Sequence, residues 1–220
     1  MRVVVKIGGA VASSAAVSVL ELAVAHEVVV VHGAGAQISK EMERFGLEVE
    51  FVGGRRKTSA AALVLVRRSL AEVNAELCTA LGSRAVGLFG DTIGLHAAQV
   101  PALGLVGDPL PCRPPAVERV LETGGIPVVA PLAVGPLNVN ADEAAAALAV
   151  GVGADRILFV TDVPGVLLGG TVVSTLDAGE ADRMLDAGQL DGGIVPKVRA
   201  AVSAARLGVR AEIGATAVVA

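Results

Sequence analysis

Two valine runs constrain this chain more than any other feature. Residues 2–7 read Arg-Val-Val-Val-Lys-Ile and residues 27–31 read Glu-Val-Val-Val-Val. β-Branched side chains are stiff at χ1 and fit a pleated surface. A valine run without polar alternation belongs to a strand buried on both faces, the usual condition of a parallel sheet. Both runs end in glycine, at Gly8-Gly9 and at Gly33-Ala34-Gly35 behind His32. Parallel neighbours need a crossover, and the segment between the runs is predicted helical to about residue 25, with Ser13 or Ser14 as its cap.

The same grammar continues along the chain. Helices are predicted over residues 36–45, 59–81 and 115–122, then from the Asn138–Asp142 stretch to about residue 152, and over 178–187 and 196–207. Strands are predicted over 85–89, 126–130, 156–160, 209–213 and 216–219, and residues 47–52 form one arm of a hairpin. In the longest helix Leu63, Val66, Leu70, Val73, Leu77 and Leu81 recur at three- and four-residue steps, so one face is committed to packing. Strands alternating with helices throughout define an α/β fold with a mostly parallel sheet. No internal repeat or low-complexity linker divides it.

Composition excludes several classes of function. With 53% apolar residues in 220, the chain buries a full core. The uncharged stretch between Glu122 and Asp142 contains Pro127, Pro131 and Pro136, so it is no spanning helix. Lys6 interrupts any leader-like apolar run, and the reading is a soluble, cytoplasmic protein. A net charge of −4, four Phe and no Trp or Tyr argue against a nucleic-acid partner. Cys78 and Cys112 lie far apart in sequence and are expected as free thiols. His26, His32 and His96 have no metal-ligand spacing, and no metal site is assigned.

Ligands of parallel sheets collect beyond the carboxyl ends of strands, where turns meet helix N-termini. Gly8-Gly9, Gly33-Ala34-Gly35, Gly90-Asp91 and Thr161-Asp162 stand at four such ends. Lysine usage narrows the choice. Of 18 basic residues only four are lysine, Lys6, Lys40, Lys57 and Lys197. Lys197 falls at a helix start, where a cation opposes the macrodipole, and that mismatch favours function over stability. Lys6 reads either as a site residue or as an edge-strand lysine that discourages aggregation. In Asn138-Val-Asn-Ala-Asp142 the polar side chains need partners if buried. Asn140 as N-cap with Asp142 in the first turn accounts for two of the three. No P-loop pattern occurs, and the Gly33-Ala-Gly35 stretch lacks the third glycine of a dinucleotide fingerprint.

Lys6-Ile-Gly-Gly9, His32-Gly-Ala-Gly-Ala-Gln-Ile38, Gly54-Arg-Arg-Lys-Thr58, Asn138-Val-Asn-Ala-Asp142, Thr161-Asp-Val-Pro-Gly165 and Gly193-Ile-Val-Pro-Lys197 follow one another in the order and approximate spacing of the amino acid kinase superfamily. Taken together they resemble its N-acetylglutamate kinase branch, over essentially the whole chain. The resemblance implies a three-layer αβα sandwich with a mostly parallel open sheet, the carbamate kinase-like fold. It also implies one domain over 1–220, with an amino-acid lobe over about 1–153 and a nucleotide lobe over about 154–220. The implied reaction moves the γ-phosphoryl group of ATP, accompanied by Mg2+ held mainly by phosphates and water, onto the side-chain carboxylate of N-acetyl-L-glutamate in arginine biosynthesis. A sibling activity on carrier-protein-linked aminoadipate or glutamate would use Arg55, Arg56 and Lys57 as a basic rim. A non-catalytic amino-acid or nucleotide binder is the remaining alternative.

By the same resemblance Lys6 and Lys197 flank the transferring phosphoryl group and Asp142 holds both ammonium groups. Gly33, Ala34, Gly35, Arg56 and Asn138 bind the acceptor, with Arg56 on its α-carboxylate. Gly8, Gly9, Thr161, Asp162, Gly192, Gly193 and Lys197 bind nucleotide. The chain departs from the family pattern at Ala34, where glycine is common, at Ser59, where aspartate is usual, and in the short Ile213-Gly-Ala-Thr216 connection. With five residues before Lys6, the resemblance leads to a homodimer joined through the 59–81 helix and free of arginine feedback.

Overall fold

The computed structural model describes residues 1–8, 12–161 and 163–220. Among them an eight-stranded sheet runs in the order Thr175–Asp177, Thr216–Val219, Arg210–Ile213, Arg156–Val160, β1 (Arg2–Ile7), β2 (Glu27–His32), Ile126–Ala130, Ala85–Phe89. Neighbours are parallel except Arg210–Ile213 against Thr216–Val219, where Gly214 and Ala215 leave room only for a tight reversal. The helices are α1 (Ala12–Leu22), α2 (Gly35–Arg44), α3 (Ala60–Leu81), α4 (Gly90–Ile93), α5 (Pro115–Glu122), α6 (Ala141–Gly151), α7 (Ala178–Asp186) and α8 (Ile194–Arg206).

The valine runs behave as their composition requires. Val3, Val5, Val28 and Val30 pack into one core with α1, α2 and α3, whereas Val4, Val29 and Val31 pack into a second core with α5 to α8. Successive residues of a strand point to opposite faces, so one uninterrupted apolar run serves both cores, and the αβα sandwich follows. β1 lies between β2 and Arg156–Val160, in register from Val3 opposite Arg156 to Ile7 opposite Val160. Lys6 therefore sits in a central strand, and its reading as an edge lysine is excluded.

Most expected boundaries hold to within a few residues. α1 already includes Ser13 and Ser14, so neither serine is its N-cap. Ser59, the departure from the family's aspartate, is the N-cap of α3 and accepts a hydrogen bond from the Ala62 N–H at 3.2 Å. The hairpin lies at Phe51–Val52 and Arg55–Arg56, tighter than the 47–52 arm implied. Short elements without a counterpart in the sequence reading include the Leu167–Leu168 and Thr171–Val172 pair, the edge strand Thr175–Asp177, and a second sheet of Ala97–Gln99, Val106–Pro109, Leu137–Val139 and Leu132–Ala133 that carries Asn138. No helix among the described residues is long and apolar enough to cross a membrane.

Candidate active site

The site assembles where β1 meets α6 and α8. Lys6 follows Val4 by two residues, so it points to the same face of the sheet, toward α6. On α6 the N-cap is Asn140, whose Oδ1 accepts from the N–H groups of Asp142 at 2.9 Å and Glu143 at 3.2 Å. The cap fixes the first turn and aims the Asp142 side chain at β1. Lys6 Nζ lies 2.9 Å from Asp142 Oδ1, and Lys197 Nζ lies 3.7 Å from Asp142 Oδ2. The side chains of Lys6 and Asp142 are each 7% exposed. A carboxylate so far from water is tolerable only when paired. Lys197, in the first turn of α8, also donates to the Gly193 carbonyl at 3.2 Å.

Asp142 lines a cavity of about 310 Å³ shared with Lys6, Gly8, Gly33, Ala34, Gly35, Arg56 and Asn138. Lys197 lines a second cavity, of about 450 Å³, with Thr161, Gly165, Leu167, Leu190, Gly192 and Gly193. The Lys6–Asp142–Lys197 cluster thus stands between two ligand-sized spaces. Every expected site residue within the described set lines one of them, and Gly8, expected at the nucleotide, lines the first cavity beside Arg56 and Asn138. Gly9 and Asp162 lie outside the described residues.

Arg56 is the most unusual group in the first cavity. It is 5% exposed, and no carboxylate among the described residues pairs with it. Its guanidinium donates to the Gly35 carbonyl at 2.9 Å and Ser39 Oγ at 2.8 Å, contacts Met42 Sδ at 3.5 Å, and stands 4.5 Å from the Phe51 ring centroid. Burial lowers its pKa. Adjacent Arg55 has the opposite balance. Burial works to lower its pKa, but hydrogen bonds and charge from Glu143 and Asp108 raise it overall. Arg55 Nε lies 2.9 Å and 3.0 Å from the two Glu143 oxygens, and its NH2 group lies 2.6 Å from Asp108. Lys57 pairs with Glu50 at 2.9 Å. A basic rim for an acidic carrier would need 55–57 exposed and unpaired; here one residue is buried and two are matched.

Asn138 donates to Thr58 Oγ1 at 3.0 Å, and the fully buried Thr58 hydroxyl donates to the Arg56 carbonyl at 2.7 Å. α2 begins behind Ala34 with no side-chain cap among the described residues, an open helix start of the kind that can receive an anion. A Cβ on Gly35 would meet no atom within 4 Å, so packing does not require glycine there. The Gly33 N–H is already taken by the Ile7 carbonyl at 2.9 Å. Gly33 therefore supplies close approach, not a free donor.

Sequence reasoning missed the residues that hold Arg56, namely Ser39, Met42 and Phe51, and it missed Thr58 as the link to Asn138. Ser39 and Met42 are one and two helical turns into α2, and only the fold shows which way they face. The Gly90-Asp91 strand end proves structural. A Cβ on Gly90 would fall 2.1 Å from the Leu132 carbonyl oxygen, and Asp91 pairs with Arg67.

The buried His32 ring meets both a side chain and the backbone of Gly33. Asn74 Nδ2 donates to the Val128 carbonyl at 2.9 Å and lies 3.0 Å from His32 Nε2, so Nε2 accepts and the proton resides on Nδ1. Burial lowers the His32 pKa to about 4, against a smaller raising effect of the Gly33 backbone. The unfolded chain protonates near pH 6.5 and the folded one near 4, so the fold loses stability as pH falls through that window. The full shift amounts to roughly 3 kcal/mol. His32→Gln is expected to flatten the fall in urea midpoint between pH 6.5 and 4. An unchanged slope would contradict the assignment.

Comparison with known proteins gives a consistent picture. The amino acid kinase family profile matches residues 1–214. An acetylglutamate kinase of Roseiflexus castenholzii is 43% identical over 193 residues, spanning 82% of this chain and 74% of the relative. The acetylglutamate kinase of Rubrobacter xylanophilus is 43% identical over 226 residues, spanning 96% and 87%. Among solved structures, smu.665 from Streptococcus mutans superposes with a TM-score of 0.89 at 30% identity, covering 99% of this chain and 98% of that one.

Proposed function

The chain belongs to the amino acid kinase family, and on that premise we propose that it transfers the γ-phosphoryl group of ATP to the side-chain carboxylate of N-acetyl-L-glutamate. The observation that carries this reading is Asp142 pairing with Lys6 and Lys197 between two cavities, one of which contains a buried guanidinium that no carboxylate among the described residues pairs with. An acceptor carboxylate oxygen attacks the γ-phosphorus, the bond from that phosphorus to the β,γ-bridging oxygen breaks, and ADP leaves as the acyl phosphate forms. The acceptor is ionised at neutral pH, so no general base is required. What remains for the protein is positioning and charge stabilisation.

Lys6 and Lys197 neutralise the equatorial oxygens and Asp142 fixes both ammonium groups. Arg56 takes the α-carboxylate, for which a planar fork suits bidentate pairing. Asn138 and the open start of α2 complete the acceptor pocket. Gly192, Gly193 and Thr161 border the nucleotide cavity. Mg2+ bound with ATP would supply charge neutralisation on the phosphates, and would be held mainly by their oxygens and water. In this reading residues 1–153 bind the acceptor and residues 154–220 the nucleotide.

Acceptor identity is tested by ADP release with N-acetylglutamate, glutamate, aspartate and a carrier-linked aminoadipate in parallel. N-acetylglutamate is expected to give the highest kcat/KM; preference for any other would overturn the substrate assignment. The proposed homodimer would use the outer face of α3, where Val64 is exposed, and the exposed Val86 of edge strand Ala85–Phe89. Light scattering is expected to give twice the mass of one chain, and a hexamer would contradict it.

A further inference from the structure

Asn140 does more than cap α6. Its Oδ1 is used on the helix, and its Nδ2 donates to the Gly54 carbonyl at 2.9 Å. Gly54 lies in the turn of the 51–56 hairpin with φ +83°, and a Cβ placed on it would lie 3.2 Å from Pro196, the residue before Lys197. One amide group therefore joins two parts of the site directly, the turn that orients Asp142 and the hairpin that presents Arg56, and the joined hairpin turn lies next to Pro196 at the start of the helix that carries Lys197.

We propose that Asn140 is a positioning residue that locks the acceptor hairpin to the phosphoryl-transfer cluster. It rests on the reading above only in taking Arg56 as the acceptor's anchor. The link spans residues 86 apart in sequence and uses both ends of a small, rigid side chain. Arg55 supplies a second stitch from the same hairpin to the same helical turn, through Glu143. With both stitches in place, Arg56 and Asp142 hold a fixed separation, as in-line transfer between a bound acceptor and a bound phosphate requires. The cap alone does not call for the second bond, since serine or aspartate caps a helix about as well as asparagine.

That equivalence separates the two roles. Asn140→Ser keeps an N-cap acceptor and loses the amide that reaches Gly54. Asn140→Asp keeps the acceptor and sets a carboxylate against the Gly54 carbonyl. Hydrogen exchange of residues 51–57 and of 143–151 is to be measured for both variants and the wild type, together with kcat and the acceptor KM. In both variants exchange is expected to rise in 51–57 and to stay at the wild-type level in 143–151. The acceptor KM is expected to rise about tenfold, with the KM for ATP within about twofold, the size of one lost hydrogen bond. Unchanged exchange in 51–57, exchange rising equally in α6, or an unchanged acceptor KM would each overturn the proposal. If the wild type forms no acyl phosphate the kinase reading fails by itself, and exchange alone then decides whether Asn140 ties the hairpin down.

Discussion

Lys6→Ala is expected to lower kcat on the order of 100-fold or more, with a smaller change in the KM for either substrate. The figure follows from removing one preformed charged donor from a water-poor site. Lys6 Nζ is the closer of the two ammonium groups to Asp142, at 2.9 Å against 3.7 Å for Lys197. Removing it leaves the buried carboxylate with its more distant partner and frees Asp142 to draw Lys197 out of place. Lys197→Ala is expected to fall by a similar factor. Because both lysines share one carboxylate, the double variant should lose less than the product of the two single losses. Initial rates of ADP release, with circular dichroism melts as a folding control, provide the check. Near-normal turnover in both single variants would reject the assigned roles.

Arg56→Met is expected to separate binding from stability. Losing a charge-assisted pair to the acceptor carboxylate costs about 1.5–3 kcal/mol, so the acceptor KM should rise roughly 10- to 150-fold while the KM for ATP stays near its original value. Stability should move the other way or not at all. A buried guanidinium that no carboxylate among the described residues pairs with is a burden on the folded state, and an apolar side chain of similar length removes it. A melting temperature equal to or above that of the wild type, combined with the KM change, marks a group kept for its ligand. A large drop in melting temperature with an unaltered acceptor KM would mark Arg56 as structural.

Much of the fold was legible because a few residues allow only one placement. A continuous valine run can serve two cores only inside a covered sheet, and both runs do. Asn140 as cap and Asp142 in the first turn followed from local chemistry. Lys6 was ambiguous in sequence because edge and central strands share composition, and only the pairing of β1 on both sides excluded the edge. Arg55 and Arg56 illustrate the limit. They are identical neighbours in a basic run, yet one pairs with two carboxylates and the other faces the cavity with none among the described residues. Strand alternation sends them to opposite faces, and what awaits each is set by residues distant in sequence. Gly90 and Gly35 differ in the same way. Each reads as a turn glycine, but a Cβ would meet the Leu132 carbonyl at the first and open space at the second. The 167–172 pair escaped notice because two-residue strands leave no periodicity to read.

The Lys6–Asp142–Lys197 arrangement has its most direct test in trapping the product it would make. The 220-residue chain is incubated with Mg2+, ATP, N-acetyl-L-glutamate and hydroxylamine, and hydroxamate and ADP are quantified together. The expected result is N-acetylglutamyl hydroxamate equal in amount to the ADP released, with both abolished when the acceptor is omitted. Hydroxamate from none of N-acetylglutamate, glutamate, aspartate or a carrier-linked acceptor would contradict the account.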